Sequence, residues 1–370
     1  MVTSIMRPNP RPGLSSTAGF SLIEMTVAMG LLTVIMGATL GGLSSVMKGN
    51  EIVMAIATMN NSVRAGMDLI LRDLLQVGSG LPASHTVTIP SGNNALQVRI
   101  PGPPGTTFLT AVGDTSLPAV MPFAQLGPTI NGVPTDVLSV LMADNAFFDI
   151  GLTAVAGSSV VVAAGPVLDA GPDRVTPGQL MLISKGSINA LVQVTAVDVP
   201  GRRLTFADGD SMRLNQSDAE TGTLPALNAA DPVDAPASTR ISRLRMITYY
   251  LDATTEPARP RLVRRVNNGH ETSFDNTLGT AVAIDVRNLQ FAYDISNGAG
   301  NPGNVEMVTG DMVAGGACGA AACARTQIRK VNVTLMSRSP QQLAARTSFL
   351  SNTLESQVSL RAMAFVDRYR

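Results

Sequence analysis

The sequence predicts an α+β fold in which one long N-terminal helix packs on a large antiparallel β-rich domain. The first observation is an apolar run from Phe20 to Met47 whose only charged residue is Glu24, followed by a polar segment with helical periodicity. The second is the remainder of the chain, where short apolar or alternating segments are separated by turns rich in glycine and proline. We therefore expect helix first and antiparallel sheet afterwards.

The apolar run is long enough to span a membrane. A helix crosses a hydrocarbon core of roughly 30 Å with about 20 apolar residues, and residues 20–47 exceed this length. Glu24 lies near the start of the span, where a carboxylate is costly without a positively charged partner. We expect residues 20–47 to form the transmembrane half of the helix and Glu24 to have a functional partner.

Residues 48–77 are expected to continue the helix as an amphipathic half. No proline occurs between Phe20 and Val77, and the segment Gly78–Pro82 contains residues that end helices. At about 1.5 Å per residue, a helix of this span is roughly 87 Å long. Apolar residues recur every three or four positions, which places them on one face; they are Ile52, Ile56, Met59, Val63, Met67, Ile70 and Leu74.

The segment before the span is a basic leader. Residues 1–19 contain Arg7 and Arg11, no acidic residue, and the small pair Ala18-Gly19 at their end. A secretory signal is cleaved after its apolar region, whereas the small pair here precedes it. The residues Gly19-Phe20-Ser21-Leu22-Ile23-Glu24 closely resemble the type IV prepilin signal. An ordinary N-terminal membrane anchor with a chance match is the alternative.

The resemblance implies a processing and assembly route. A prepilin peptidase would cut after Gly19 and N-methylate Phe20, and Glu24 would pair with the terminal amine of a neighbouring subunit. The implied partners are this peptidase, other major and minor pilins, and the inner-membrane assembly platform. The chain would cross the inner membrane once, hold its C-terminal domain in the periplasm and enter a pilus on assembly. No enzymatic activity, cofactor or metal is expected.

Beyond the helix, we expect a β-rich variable region at 78–239 and a C-terminal pilin-like antiparallel sheet at 240–370. Within the first, Leu180–Ile183, Leu191–Val197 and Leu204–Phe206 predict a meander. Within the second, alternating segments predict one sheet with one solvated face. They are Ile247–Leu251, Leu289–Ile295, Val331–Leu335, and Val358–Leu360 followed by Ala364–Val366.

Taken whole, this layout is similar to that of PilW-like minor pilins. The similarity includes the segment Met67–Leu74 and the closing segments Val331–Leu335 and Ser359–Arg361. It implies a structural component that acts in assembling or priming a type IV pilus. Two alternatives remain open, a J-type pseudopilin of a type II secretion system and a membrane-tethered periplasmic adhesin or enzyme.

The two cysteines, Cys318 and Cys323, enclose a short glycine and alanine loop. A disulfide is the expected state, because disulfides persist in the periplasm. Free thiols and a metal pair are the alternatives. A metal is disfavoured because a soft site needs three or four ligands, and the two histidines, His85 and His270, are distant in sequence.

Two short motifs resemble ligand-binding loops without predicting a site. Gly298–Gly303 fits a dinucleotide-binding glycine pattern, but the strand-like segment Val305–Val308 follows where such a site needs a helix. Asp208-Gly209-Asp210 lacks the remainder of a calcium loop. We expect a loop at the first and a turn at the second.

A basic cluster raises the question of nucleic-acid binding, for which a stripe of arginines is the expected footprint. Arg243 and Arg245 alternate with Leu244 and Met246, which favours solvent-facing arginines on a hairpin. The formal net charge of the chain is zero, so nucleic acid is not an expected partner. The cluster comprises Arg240, Arg243, Arg245, Arg259, Arg261, Arg264 and Arg265.

Overall fold

The computed structural model describes residues 19–229, 239–270, 278–296, 305–309, 325–339, 342 and 349–364. The leader before Gly19 lies outside these residues, as do the cysteine pair Cys318 and Cys323 and the glycine-rich segment Gly298–Gly303.

The first element is one continuous helix, as the sequence predicts. Helix α1 spans Leu22–Gln76, 55 residues, and begins after Ser21, whose backbone is extended. At about 1.5 Å per residue it is roughly 83 Å long. Gly78 follows with a φ of +79°, a conformation that glycine adopts without strain. Its N–H donates to the Leu141 carbonyl at 3.0 Å, which joins the end of the helix to the sheet.

The described part of the remaining chain is mostly β-strand. In chain order the strands are β1 (Thr86–Thr88), β2 (Arg99–Pro101), β3 (Thr107–Leu109), β4 (Ser116–Pro118), β5 (Val120–Phe123), β6 (Thr129–Ile130), β7 (Val133–Pro134), β8 (Val137–Ala143), β9 (Ile150–Ala156), β10 (Ser159–Val162), β11 (Leu180–Lys185), β12 (Ile188–Gln193), β13 (Ala196–Asp198), β14 (Arg203–Thr205), β15 (Thr239–Asp252), β16 (Arg261–Val266), β17 (Thr280–Ile284), β18 (Val286–Ser296), β19 (Val305–Thr309), β20 (Ile328–Arg338) and β21 (Ser351–Ser359). A short helix α2 spans Leu224–Ala229, and 3₁₀ turns occur at Asn267–Gly269, Arg325–Gln327 and Ala362–Ala364.

Two antiparallel sheets form the body of the protein. The large sheet has 11 strands, with β12-β11-β15-β9-β10-β14-β13 as its main order. In addition, β16 pairs with β15 and β17 with β16, while β8 pairs with β15 and β5 with β8. The small sheet has four strands in the order β19-β18-β20-β21. Three two-stranded ribbons, β1-β4, β2-β3 and β6-β7, complete the described strands. A long helix packed on antiparallel sheet confirms the predicted α+β class.

Strand β15 pairs with four other strands of the large sheet, and its position contradicts one expectation. The segment Ile247–Leu251 does not join the other alternating segments, which pair as β18, β20 and β21 in the small sheet. It instead pairs with β16 and β8. It also lacks a solvated face, because Tyr250 packs into a second core made with residues of β1, β2 and β5. The large sheet therefore contains strands from both sides of residue 239.

The predicted meander is wrong in its middle segment. β11 pairs with β12 as expected, but the segment Leu191–Val197 is divided between β12 and β13. β13 then pairs with β14, and β14 continues to β10. Two hairpins therefore replace one three-stranded meander.

The amphipathic half of α1 packs on the sheets along part of the predicted stripe. From Met59 onward the stripe residues are buried, together with Gly66 and Asp73. The first two stripe residues differ, since Ile52 is only partly buried and Ile56 remains exposed. The docked residues share one core with β15 and the small sheet.

Gly66 marks the closest approach of the helix to the sheet. A Cβ atom added there would lie 2.9 Å from both the Ala283 Cβ and a Leu262 methyl group. Contacts this short require the neighbouring atoms to move, so a side chain at this position separates the helix from β16 and β17.

We expect Gly66→Val to lower the free energy of unfolding by about 1–3 kcal/mol, the usual cost of overpacking. The measurement is thermal unfolding of the detergent-solubilised chain. Gly49→Val is the matched control, because an added Cβ at Gly49 meets nothing within 4 Å. Equal unfolding temperatures for the two variants would contradict close packing at Gly66.

Candidate functional site

The proposed processing positions lie at an exposed chain end. Gly19 and Phe20 precede the helix and are solvent-exposed, Phe20 to 86%. Their peptide bond therefore lies in non-helical, accessible backbone. Glu24 is in the first helical turn, and its Oε2 accepts a hydrogen bond from the Ser21 backbone N–H at 3.2 Å. A carboxylate in this position complements the positive end of the helix dipole.

No part of the described chain covers the apolar half of α1. Helix α1 is long and apolar enough to cross a membrane, and none of its most apolar 18-residue window is buried. Leu31, Leu32 and Ile35 are each about 60% exposed. A continuous apolar surface of this size is unfavourable in water and marks contact with lipid or with other proteins.

A buried polar cluster joins the docked half of α1 to the large sheet. Asp73, on the helix face that contacts the sheet, is only 5% exposed. Its Oδ2 accepts one hydrogen bond from the Tyr249 hydroxyl of β15 and one from Nε of Arg264 of β16, each at 2.6 Å. Tyr249 and Arg264 are directly opposite each other in the β15–β16 ladder. We call these three residues the helix lock.

Burial sets the protonation states within the helix lock. Burial, assisted by the charge of Asp73, raises the pKa of the Tyr249 phenol well above its ordinary value, so that it remains a donor. Burial acts to lower the pKa of the Arg264 guanidinium, but the hydrogen bond and charge of Asp73 outweigh it and raise that pKa. Tyr249 and Arg264 therefore both act as hydrogen-bond donors to Asp73.

The arginine cluster is mostly paired with carboxylates, and the expectation of solvent-facing side chains is wrong for Arg243, whereas Arg240 remains half exposed. Arg243 has one of the largest fully buried side chains of the described residues. Arg243 and five further arginines of the cluster pair with carboxylates. The pairs within 3 Å are Arg243 and Arg245 with Asp144, Arg259 with Asp285, Arg261 with Asp252 and Arg264 with Asp73, and Arg240 lies 4.0 Å from Asp149. Charges neutralised in this way do not form a phosphate-binding stripe.

The Asp208-Gly209-Asp210 segment is a hydrogen-bonded loop. Both Oδ atoms of Asp210 accept backbone N–H groups, from Met212, Leu214 and Asn215. Burial raises the pKa of Asp210, while these backbone hydrogen bonds act to lower it. Asp208 accepts the backbone N–H and hydroxyl of Ser217. Within the described ranges, no cluster of three or more histidine, cysteine or acidic side chains is arranged to hold a metal.

The helix lock is the feature that sequence reasoning missed. In the sequence, Asp73 is one of several charged residues on the amphipathic half. Its signal is positional, because Asp73 follows Ile70 by three residues and therefore shares the apolar face. A carboxylate on a buried face implies a cationic partner, although the sequence does not identify which arginine.

No family model matches the chain, and no curated protein matches it. Among solved structures, the chain is similar to a type IV-like pilin from Thermus thermophilus, with 10% sequence identity and a TM-score of 0.18. The match covers 51% of this chain and 90% of the pilin. A likeness at this TM-score does not establish a shared fold, so any functional inference depends on the geometry of this chain itself.

We expect Asp73→Asn to lower the free energy of unfolding by about 3–5 kcal/mol, because it leaves the buried Arg264 guanidinium without its counter-charge. The measurement is denaturant unfolding of the detergent-solubilised chain. Asp68→Asn, an exposed carboxylate on the same helix, is the matched control and should change stability by less than about 0.5 kcal/mol.

A triple variant separates polar pairing from packing. Asp73→Leu with Arg264→Met and Tyr249→Phe should recover much of the lost stability, because the apolar set leaves neither a buried charge without a counter-charge nor a buried hydroxyl without an acceptor. If Asp73→Asn unfolds at the same denaturant concentration as Asp68→Asn, the helix lock does not hold the helix on the sheet.

Proposed function

We propose that this chain is a minor pilin that acts in assembling or priming a type IV pilus. The observation that carries the proposal is the division of α1 into two environments. Its second half is docked on the sheets of its own chain, whereas its first half is apolar and wholly uncovered. A subunit built in this way has to place its first half in lipid or against equivalent helices of other subunits.

The exposed, non-helical backbone at Gly19 and Phe20 supports the proposed processing. An endopeptidase acts on extended backbone, and the bond between Gly19 and Phe20 precedes the first helical residue, Leu22. Cleavage there would leave Phe20 as the new N-terminus, and the same enzyme would methylate it. The uncovered apolar half would remain on the mature chain.

Glu24 is proposed as the assembly contact. Its carboxylate accepts the Ser21 N–H at the start of α1. Inside a hydrocarbon layer or a filament core, an ionised carboxylate is strongly stabilised by a positive charge. The terminal amine of a neighbouring subunit would supply this charge and would set the axial position of the incoming helix.

The charges that flank the apolar run support the proposed orientation. Arg7 and Arg11 precede the run, and Lys48 and Glu51 follow it. Positive residues are retained on the cytoplasmic side of a membrane span, so the leader would be cytoplasmic and the sheets periplasmic. Cys318 and Cys323 would then be in an oxidising compartment, where we propose that they form a disulfide.

The processing step predicts a defined mature N-terminus. Mass spectrometry of chain extracted from membranes should find N-methylated Phe20 as the first residue. Gly19→Val should block the cut, and the loss would not reflect misfolding because an added Cβ at Gly19 meets nothing within 4 Å. Gly30→Val, equally unhindered, is the control and should be processed normally. A mature chain that retains Met1, or one cut after Met47, would refute the proposed processing.

The assembly step predicts a specific effect of Glu24→Gln. The variant should be cut and inserted as the parent is, because the cleavage site is unchanged and a neutral side chain enters lipid more easily. The amount of the Glu24→Gln variant recovered in sheared filaments, or the number of filaments per cell, should be lower than with the parent chain. Glu51→Gln, which changes an exposed carboxylate of the same helix beyond the apolar run, is the control. Normal piliation with Glu24→Gln would remove the pairing argument.

A further inference from the structure

A cavity lies where the contact of α1 with the sheets begins. Its volume is about 190 Å³, and its walls include Met54 and Met59 of the helix and Ile284 at the end of β17. The Ser62 Oγ accepts the Ile284 N–H at 2.9 Å and donates to the Ile284 carbonyl at 3.2 Å, which holds the helix beside the strand. Part of the wall is apolar and open to solvent, because Met54 is 70% and Ile284 39% exposed.

One arginine at this cavity has no carboxylate partner. Asp285 is the acidic residue among the described residues of the lining, and both of its oxygens accept hydrogen bonds from Arg259, at 2.9–3.0 Å. Arg338 also lines the cavity; within the part of the chain that the structure describes, its guanidinium forms no ion pair, and its Nε is buried without a hydrogen-bond partner. The guanidinium carbon of Arg338 lies 3.9 Å from the centre of the Phe349 ring. The charge of Arg338 is therefore available to an anion that enters the cavity.

A second, buried arginine increases the positive potential at Arg338. Arg287 is 5% exposed, and its Nε has no hydrogen-bond partner among the described residues. Burial and the like charge of Arg338 lower the pKa of Arg287, while Asp285 acts against them. The carboxylates that act on Arg259 are Asp285 and Glu256. An anion bound at Arg338 would offset the repulsion between Arg338 and Arg287.

The cavity is close to the surface of the membrane that the apolar half of α1 would span. Met54 follows Met47, the end of the apolar run, by seven residues, or about 10 Å of helix. The polar layer on each side of a bilayer is about 5–8 Å thick. Residues 20–47 form about 42 Å of helix, which exceeds the roughly 30 Å hydrocarbon core, and tilt accommodates such a mismatch. A tilt toward the sheets places the cavity at the level of the lipid headgroups.

We propose that this cavity binds the phosphate group of an anionic phospholipid, in the leaflet on the side of the sheets, with Arg338 as its main partner. Arginine binds phosphate oxygens through charge-assisted hydrogen bonds, and basic pockets beside membrane-spanning helices bind anionic lipid headgroups. The apolar walls at Met54 and Ile284 fit the glycerol and acyl carbons that adjoin the phosphate, which a phosphate ion lacks.

The cavity is too small for a whole lipid, so the acyl chains would follow the exposed face of α1 toward its apolar half. The inference depends on the apolar half lying in a membrane, but not on assembly of the chain into a pilus. Its test therefore requires no filament.

Native mass spectrometry of the full-length chain in an uncharged detergent tests the proposal. The chain is titrated separately with phosphatidylglycerol, with phosphatidylcholine of the same acyl chains, and with glycerol phosphate. Phosphatidylcholine carries the same phosphate beside a cationic group, and glycerol phosphate carries the phosphate without acyl chains. We expect a saturable adduct with phosphatidylglycerol, about tenfold or more weaker binding of phosphatidylcholine, and no glycerol phosphate adduct at the same concentrations.

Two variants with matched controls make the result specific to the cavity. Arg338→Gln should remove the preference for phosphatidylglycerol, whereas Arg240→Gln, an exposed arginine outside the lining, should keep it. Met54→Glu places a carboxylate at the mouth of the cavity on an exposed helix position, so it should also remove the preference without unfolding the chain. Val53→Glu introduces the same charge at the adjacent position, which is 64% exposed and outside the lining, and should bind as the parent does.

Three outcomes would overturn the proposal. The first is equal binding of the two lipids by the parent, or a preference that Arg338→Gln and Met54→Glu leave unchanged. The second is binding of glycerol phosphate as tight as that of phosphatidylglycerol, which would identify a soluble phosphate ester as the ligand. The third is a dimer of the parent, without lipid preference, that Arg338→Gln abolishes, which would assign the cavity to a neighbouring subunit.

Discussion

The buried contact of Asp73 with Arg264 and Tyr249 is the interaction on which the arrangement of this protein depends. Apolar side chains alone would allow α1 to rotate or slide slightly on the sheets, because dispersion contacts are not directional. A carboxylate that receives two hydrogen bonds at 2.6 Å is directional. It fixes both the rotation and the axial position of the docked half of the helix, and the close approach at Gly66 fits that one position.

Because the docked half of α1 is fixed on the sheet, the apolar half of the same helix projects from the protein in a defined direction. Because α1 is continuous from Leu22 to Gln76, holding its last turns on the sheet also sets where its first turns project. The apolar half can then be presented to lipid or to other helices without contact with the body of its own chain. Rigid presentation of this kind suits a subunit that adds to an assembly through its N-terminal end, as the proposed pilin function requires.

The elements that the sequence predicted well are those determined by local pattern. The length of α1 and its end before Gly78 follow from an unbroken periodicity and a glycine with positive φ. The alternation in Val331–Leu335 correctly predicted a strand with one buried face. The position of Glu24 in the first helical turn also follows directly from the sequence, whereas its assembly role stays a proposal.

The parts that were not predicted depend on contacts between distant residues. Alternation in Ile247–Leu251 could not show that Tyr250 meets a second core that includes residues of β1, β2 and β5, and the segment was therefore assigned to the wrong sheet. The arginines of β15 and β16 appeared solvent-facing because their partners, Asp73 and Asp144, are about 100 or more residues away. Charge pairing across such separations is set by the tertiary fold, which one sequence does not reveal.

The proposed function requires other subunits to cover the apolar half of α1 after assembly. Photo-crosslinking from a benzophenone amino acid at Ile35, which is 61% exposed, tests it directly in cells that produce the full chain. The same label at Val63, which is fully buried against the sheets, is the reference for contacts within the chain. We expect protein–protein adducts from Ile35 to chains that carry a similar N-terminal helix, and only intramolecular products from Val63. Adducts of Ile35 with lipid alone, in cells that are assembling filaments, would contradict it.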